Sequence, residues 1–226
     1  MFCLNCSDFL VLRFIKTVET FSVKLNLPEK RESRNRTIIN STNIVVSLAT
    51  VKLENTSHLY FSADGNATKV NKHFSKKALE KFEVDLSLPK EAFDQANSTK
   101  VVFILYRKRS FFKLTKDTKV RIRSYIIAAS LGSAKKITNL DKPIILRYPK
   151  SKNNMSVSKT LCVFWNFKSN PNLGGWSEYG CTFQRNDKDN YDECHCNHLT
   201  NLAMLMVSSK RHYVCMCSQY VTIIMV

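Results

Sequence analysis

A mainly β fold, an antiparallel sandwich with a short helix in front of it, is what this sequence predicts. Three observations carry that prediction. Short segments rich in Val, Ile, Phe and Tyr recur along the chain, the hydrophobic period changes to two after the stretch KLNLPEK, and clusters of Asn, Asp, Gly and Pro separate the segments. With 226 residues, 44% of them hydrophobic, the chain can bury a sizeable core. No internal repeat or low-complexity segment interrupts it.

The elements follow in order. Ser7 and Asp8 offer caps for a helix in which Val11, Phe14, Ile15, Val18 and Phe21 recur at three- and four-residue steps on one face. TNIVVSLATVK (Thr42 to Lys52) is dense in β-branched residues and reads as a strand. FEVDLSL alternates Phe82, Val84, Leu86 and Leu88 with Glu83, Asp85 and Ser87, which predicts a half-buried strand. The runs Lys100 to Arg107, Lys119 to Ser130 and Lys142 to Tyr148 read the same way.

A formal charge of +17 raises nucleic acid as a partner, but its distribution argues against one. From Leu161 to Thr200 there are three basic residues (Lys168, Arg185, Lys188) against five acidic ones (Glu178, Asp187, Asp189, Asp192, Glu193). The upstream basic runs alternate with strand-like segments, without zinc-finger spacing or an aromatic stacking platform, and read as a solvated face.

Eight cysteines, four of them between Cys162 and Cys196, point to disulfides or metal. Seven Asn-x-Ser/Thr sequons, at Asn5, Asn35, Asn40, Asn55, Asn66, Asn97 and Asn154, favour an oxidising, secretory route and are candidate glycosylation sites. The N-terminus MFCLNCSDFLVLRFIK lacks a basic start and is cut by Asn5, Asp8 and Arg13, so it does not read as a signal peptide. No run reaches the roughly 18 apolar residues of a membrane span. The expectation is a fragment or an incomplete gene product of a secretory-route protein, with a soluble intracellular protein as the competing explanation and a zinc-dependent intracellular binder as a third class.

Chemistry concentrates in CHCNHLTNLAMLM, residues 194–206. Zinc would suit Cys194, His195, Cys196 and His198 by ligand type, but Cys-x-Cys on an extended segment is poor spacing for wrapping an ion. Disulfides fit better. Two cysteines two apart on a strand face one side and cannot easily bond each other, so each needs a separate partner, and Cys162 and Cys181 are nearest. That leaves two of the three pairings open. Self-cleavage uses what the disulfides leave free. On an extended strand His198 and Thr200 share a face with Leu199 opposite, which sets a base beside a nucleophile able to attack the Leu199 carbonyl.

Residues 161–207 together, with Cys162, Trp165, Trp176, Gly180, Cys181, Cys194, Cys196, His198, Leu199 and Thr200 in place, closely resemble the GPS motif of adhesion G-protein-coupled receptors. The upstream segments LSLPKEAF, VVFILYRKRSFFKL, RSYIIAASLG and LDKPIILRY resemble successive strands of the GAIN domain of latrophilin and EGF-containing receptors. The resemblance implies a remnant of helical subdomain A over 1–30, subdomain B over 31–207 with its GPS motif at 161–207, and a linker or aberrant tail over 208–226. It implies bridges from Cys162 to Cys194 and from Cys181 to Cys196. It further implies cleavage between Leu199 and Thr200, His198 as base and Thr200 as nucleophile, and a tethered agonist formed by Thr200, Asn201, Leu202, Ala203, Met204, Leu205 and Met206. Leu202 stands where the family usually has an aromatic residue.

The partners so implied are the chain's own retained strand, a seven-helix domain in any longer form, and an extracellular protein ligand; no cofactor or metal is implied. The site is the plasma membrane's outer face, or the medium if the chain is secreted. Single-turnover self-cleavage is the most enzyme-like activity expected. Because cleavage also needs local strain and a well-placed His198, a non-cleaving disulfide-rich adhesion module is the alternative.

Overall fold

The computed structural model describes residues 13–20, 24, 36–52, 57–64, 68–71, 73–75, 80–112, 120–122, 124–132, 136–150, 157–169 and 174–208. Fourteen strands, numbered along the chain, fall among them in two antiparallel sheets. The first sheet holds β1 (Arg36–Asn40), β2 (Ile44–Thr50), β6 (Lys100–Tyr106), β8 (Ile126–Leu131), β14 (Asn201–Ser208), β10 (Val157–Asn166) and β11 (Gly175–Ser177), in that order. A further short strand, β7 (Val120–Ile122), also pairs with β14. The second sheet runs β12 (Cys181–Gln184), β13 (Tyr191–Cys196), β9 (Ile144–Pro149), β5 (Val84–Pro89), β3 (His58–Ala63) and β4 (Thr68–Asn71). The mainly β sandwich expected from the sequence is the observed architecture.

The main core lies between the sheets, where Phe61 of β3 stacks on Phe103 of β6 with ring centroids 4.2 Å apart. A second core covers the outer face of the first sheet. Here Ile15 of the N-terminal helix, helical over 13–20, is fully buried with Val46, Ile104, Tyr106, Phe112, Trp165 and Leu205. Phe14 of that helix lies 42% exposed, off the face that periodicity assigned it to. A sheet buried on both faces has no use for alternation, which explains the nearly unbroken apolar runs IVVSLAT and KVVFILY.

Three sequence expectations are corrected. Residues 82–88 do not form a half-buried strand, because Asp85 and Ser87 are as buried as Leu86 and Leu88. The outward face of β5 is roofed: Asp85 accepts hydrogen bonds from Ser62 (2.8 Å) and Arg147 (3.0 Å), and the Arg147 guanidinium lies 4.4 Å from the centroid of Phe74. Burial raises the Asp85 carboxyl, with Ser62 and Arg147 pulling the other way.

The run Lys119 to Ser130 is two strands rather than one. It breaks at Ser124, whose hydroxyl accepts the Met204 N–H at 2.9 Å and so replaces a ladder bond. LSLPKEAF is also not one strand. β5 stops at Pro89, which has no N–H to give a ladder, and Lys90–Ala96 coils into a helix that buries Ala92, Phe93 and Ala96. Asn97 closes this helix in the left-handed region at φ 49°.

Candidate functional site

Three consecutive features of the sequence, the Cys-x-Cys pair, His-Leu-Thr and the apolar run, occupy the place where the chain crosses between sheets. β13 ends the second sheet at Cys196, and β14 enters the first at Asn201. Both cysteines of β13 face the core between the sheets. Cys194 bonds Cys162 of β10 and so ties sheet to sheet, with Cα atoms 5.5 Å apart. Cys196 bonds Cys181, its directly opposed neighbour on β12, with Cα atoms 4.1 Å apart. Among the described residues no group of His, Cys, Asp and Glu is placed to hold a metal ion.

Residues 197–200 form a bend, which overturns the extended-strand geometry assumed for His198 and Thr200. The reason lies in the backbone. The Asn197 N–H donates to Gly180 O (2.9 Å) and its carbonyl accepts from Leu140 (2.9 Å), while the Leu199 N–H donates to Ile137 O (3.1 Å). Such bonds on both sides of residue 198 fold the segment into the crossover instead of leaving it to pair as a strand.

The His198 imidazole is 7% exposed and meets Phe164 edge-on, with centroids 4.4 Å apart. Its Nδ1 donates to Asn197 Oδ1 at 3.0 Å, since a carbonyl oxygen only accepts. The proton therefore sits on Nδ1, and Nε2 keeps its lone pair. Nε2 is buried with no hydrogen-bond partner, so it does not touch the Thr200 hydroxyl. Burial and the charge of Lys136 lower the His198 value, favouring the neutral ring that a general base requires.

Gly180 fits against this ring with φ +74°; a Cβ there would stand 2.4 Å from Asn197 Oδ1 and 3.0 Å from His198 Nδ1. Asn197, Ile137, Leu140 and Phe164 were not singled out from the sequence. Asn197 lay inside the quoted cluster, while the other three become neighbours only through folding.

Downstream, β14 pairs on both edges. Leu202 to Met206 face Phe164 to Thr160 of β10, and on the other side Asn201 and Leu202 face Ala128 and Ile127 of β8. Leu202 and Met204 point into the core between the sheets, Ala203 and Leu205 into the core under the helix. All four are 4% exposed or less. Asn201, 1% exposed, donates from its side-chain amide to Glu19 of the N-terminal helix.

Of the sequons, Asn40 and Asn97 are exposed, at the end of β1 and at the helix terminus. Asn5, Asn35, Asn55, Asn66 and Asn154 lie outside the described residues, as do Cys3, Cys6, Cys215 and Cys217.

A family model described as GPS, GAIN subdomain B, matches residues 43–210. The human Adhesion G-protein coupled receptor G4 is 32% identical over 126 residues, covering 54% of this chain and 4% of that protein. The rat Adhesion G protein-coupled receptor F5 is 43% identical over 70 residues, covering 30% and 5%. The mouse Adhesion G protein-coupled receptor L1 is 32% identical over 125 residues, covering 47% and 8%. The chain thus spans less than a tenth of the length of each of these relatives. Among solved structures, the full extracellular region of zebrafish Gpr126/Adgrg6 matches with a TM-score of 0.63 at 21% identity, covering 84% of this chain and 25% of that one.

Proposed function

Because the chain belongs to the GAIN subdomain B family of adhesion G-protein-coupled receptors, we propose that it is an extracellular GPS region that cuts itself once, between Leu199 and Thr200, and keeps the new end buried. The observation that carries this reading is the unpartnered, buried Nε2 of His198, one residue before a Leu-Thr bond that sits in a bend clamped from both sides.

Chemically, Nε2 removes the proton of Thr200 Oγ as that oxygen adds to the Leu199 carbonyl carbon. The carbon–nitrogen bond then breaks, and the imidazolium returns its proton to the departing Thr200 nitrogen. An ester between Leu199 and Oγ results. Water hydrolyses it to a Leu199 carboxylate and a free Thr200 with its hydroxyl restored. For this the bend must bring Thr200 Oγ to Nε2. No cofactor takes part, and no separate substrate is turned over.

Retention follows from burial. Leu202, Met204 and Leu205 each contribute roughly 1.5–3 kcal/mol by leaving water, and β14 also shares hydrogen bonds with β7, β8 and β10. Residues 200–206 in this reading are a tethered agonist for a seven-helix domain carried by a longer form, at the outer face of the plasma membrane or in a secreted chain. The exposed Asn40 and Asn97 would then carry glycans, and residues 1–30, 31–207 and 208–226 would be the subdomain A remnant, subdomain B and tail.

The test is a denaturing gel of the chain expressed behind a signal peptide. Two bands, with the small fragment beginning Thr-Asn-Leu-Ala-Met-Leu, are expected for the native sequence and one band for Thr200→Ala. A single band identical to that of Thr200→Ala overturns the cleavage reading. The second reading, a non-cleaving disulfide-braced adhesion module, draws on the two bridges, Cys162–Cys194 and Cys181–Cys196, which brace this region whether or not the chain is cut.

A further inference from the structure

The bend at 197–199 is held by the backbone of Ile137 and Leu140, and that loop is itself held from a third element. Gln95, on the helix Lys90–Ala96, donates from Nε2 to the Thr138 carbonyl (3.0 Å) and accepts the Thr138 N–H on Oε1 (3.2 Å). A single amide side chain thus imitates a strand partner for the peptide unit between the two gripping residues. One turn earlier on the same face, Glu91 accepts the N–H groups of Asp141 (3.0 Å) and Lys142 (2.9 Å). These bonds keep the Glu91 carboxyl below its ordinary value. Ile137 and Leu140 bury their side chains in the main core, so the loop is anchored by side chains on one side and by two borrowed hydrogen-bond pairs on the other.

The two grips act on either side of His198. Leu140 N–H takes the Asn197 carbonyl, and the Ile137 carbonyl takes the Leu199 N–H. Any slack in Thr138 is therefore passed to both neighbours of the imidazole and to the residue whose carbonyl is to be attacked. Within the bend, the Asn197 side chain meets the imidazole and its N–H is held by the Gly180 carbonyl, but neither bond reaches Leu199.

We infer that Gln95 is a positioning residue for the Leu199–Thr200 junction, acting through the loop 137–142, with Glu91 in support. The inference builds on the self-cleavage reading for its consequence, but the grip itself can be measured without cleavage. Gln95 touches none of the reacting atoms. Its two-way bond explains why the amide is needed: Glu at 95 keeps the acceptor and loses the donor, and Ala loses both.

In the full chain carrying Thr200→Ala, Gln95→Ala should speed amide hydrogen exchange at Leu140 and Leu199 by about tenfold, with β6 and β9 amides unchanged. In the otherwise native chain, the same change should cut the self-cleaved fraction of folded, disulfide-bonded protein severalfold, with Gln95→Glu in between. Unchanged exchange at Leu140 and Leu199 overturns the grip. A loss of yield with the folded protein cut as fully as the native chain overturns the positioning role. If the native chain is not cut at all, the cleavage reading fails, and the exchange result still decides for or against the grip.

Discussion

Asn201, the first residue of β14, donates its side-chain amide to Glu19 on a helix 182 residues earlier. The other side-chain atom, Asn201 Oδ1, is buried without a partner, and a protonated Glu19 would bring it a donor. Burial pushes the Glu19 carboxyl up to about 7, against the pull of Asn201 and Lys16, and Tyr106 on the sheet below feels its charge. A carboxyl raised in the folded state stabilises it fully below the unfolded value, and that contribution is lost as pH rises through the folded one. The shift from 4.5 to about 7 corresponds to on the order of 3 kcal/mol. The chain should therefore melt lower at pH 8 than at pH 5.5, and Glu19→Gln, neutral throughout, should flatten the difference. An unaltered pH slope in the variant would count against the link.

Gly180→Ala should be costly for two separable reasons. A left-handed non-glycine residue costs about 1–2 kcal/mol, and the new methyl would push on Asn197 Oδ1 and His198 Nδ1. Thermal unfolding should report the first, and the imidazole proton resonances of His198 should move because of the second. A variant with native resonances would show that the ring does not depend on this contact.

Removing each disulfide should cost more stability the longer the chain it closes, though only logarithmically. For separations of 32 and 15 residues, chain entropy alone gives about 4 kcal/mol for Cys162–Cys194 and about 3 kcal/mol for Cys181–Cys196. Paired Cys→Ala variants compared by denaturant unfolding check the order. The inter-sheet bridge should matter more, and the reverse order would mean that the unfolded chain is not the main seat of the effect.

Arg147→Ala should destabilise by about 3–5 kcal/mol, because it strands a buried Asp85 and removes the guanidinium packed on Phe74. The double change Arg147→Met with Asp85→Leu should recover most of the loss, since neither charge of the buried pair then remains and Glu193, the other carboxylate on Arg147, keeps its contact with His195. Urea midpoints of the three chains decide it. A double variant no better than the single one would show that the pair itself, and not the stranded carboxylate, supplies the stability.

Local pattern revealed the strands wherever one segment settled its own fate. β2 and β6 lie within the runs predicted for them, and β9 passes the end of its run only by Pro149, because β-branched density needs no distant partner to be recognised. Asp85 was misread since its roof, Arg147, comes 62 residues later. The break at Ser124 depends on an N–H from Met204, 80 residues away. At the site, His198, Leu199 and Thr200 stood out by spacing and family resemblance, whereas their bent conformation depends on Ile137, Leu140 and Gly180, bonded through backbone atoms that any sequence would offer.

The place of β14 in the first sheet has a consequence for what stays behind if it departs. It is an interior strand, with β8 and β7 on one side and β10 on the other, so its departure would split the sheet into β1-β2-β6-β8 and β10-β11. β8 and β10 would each become a raw edge, with unpaired amides and carbonyls ready to accept a foreign strand. An emptied domain of this kind is an open template, poised to take up a replacement strand or to join with another emptied copy.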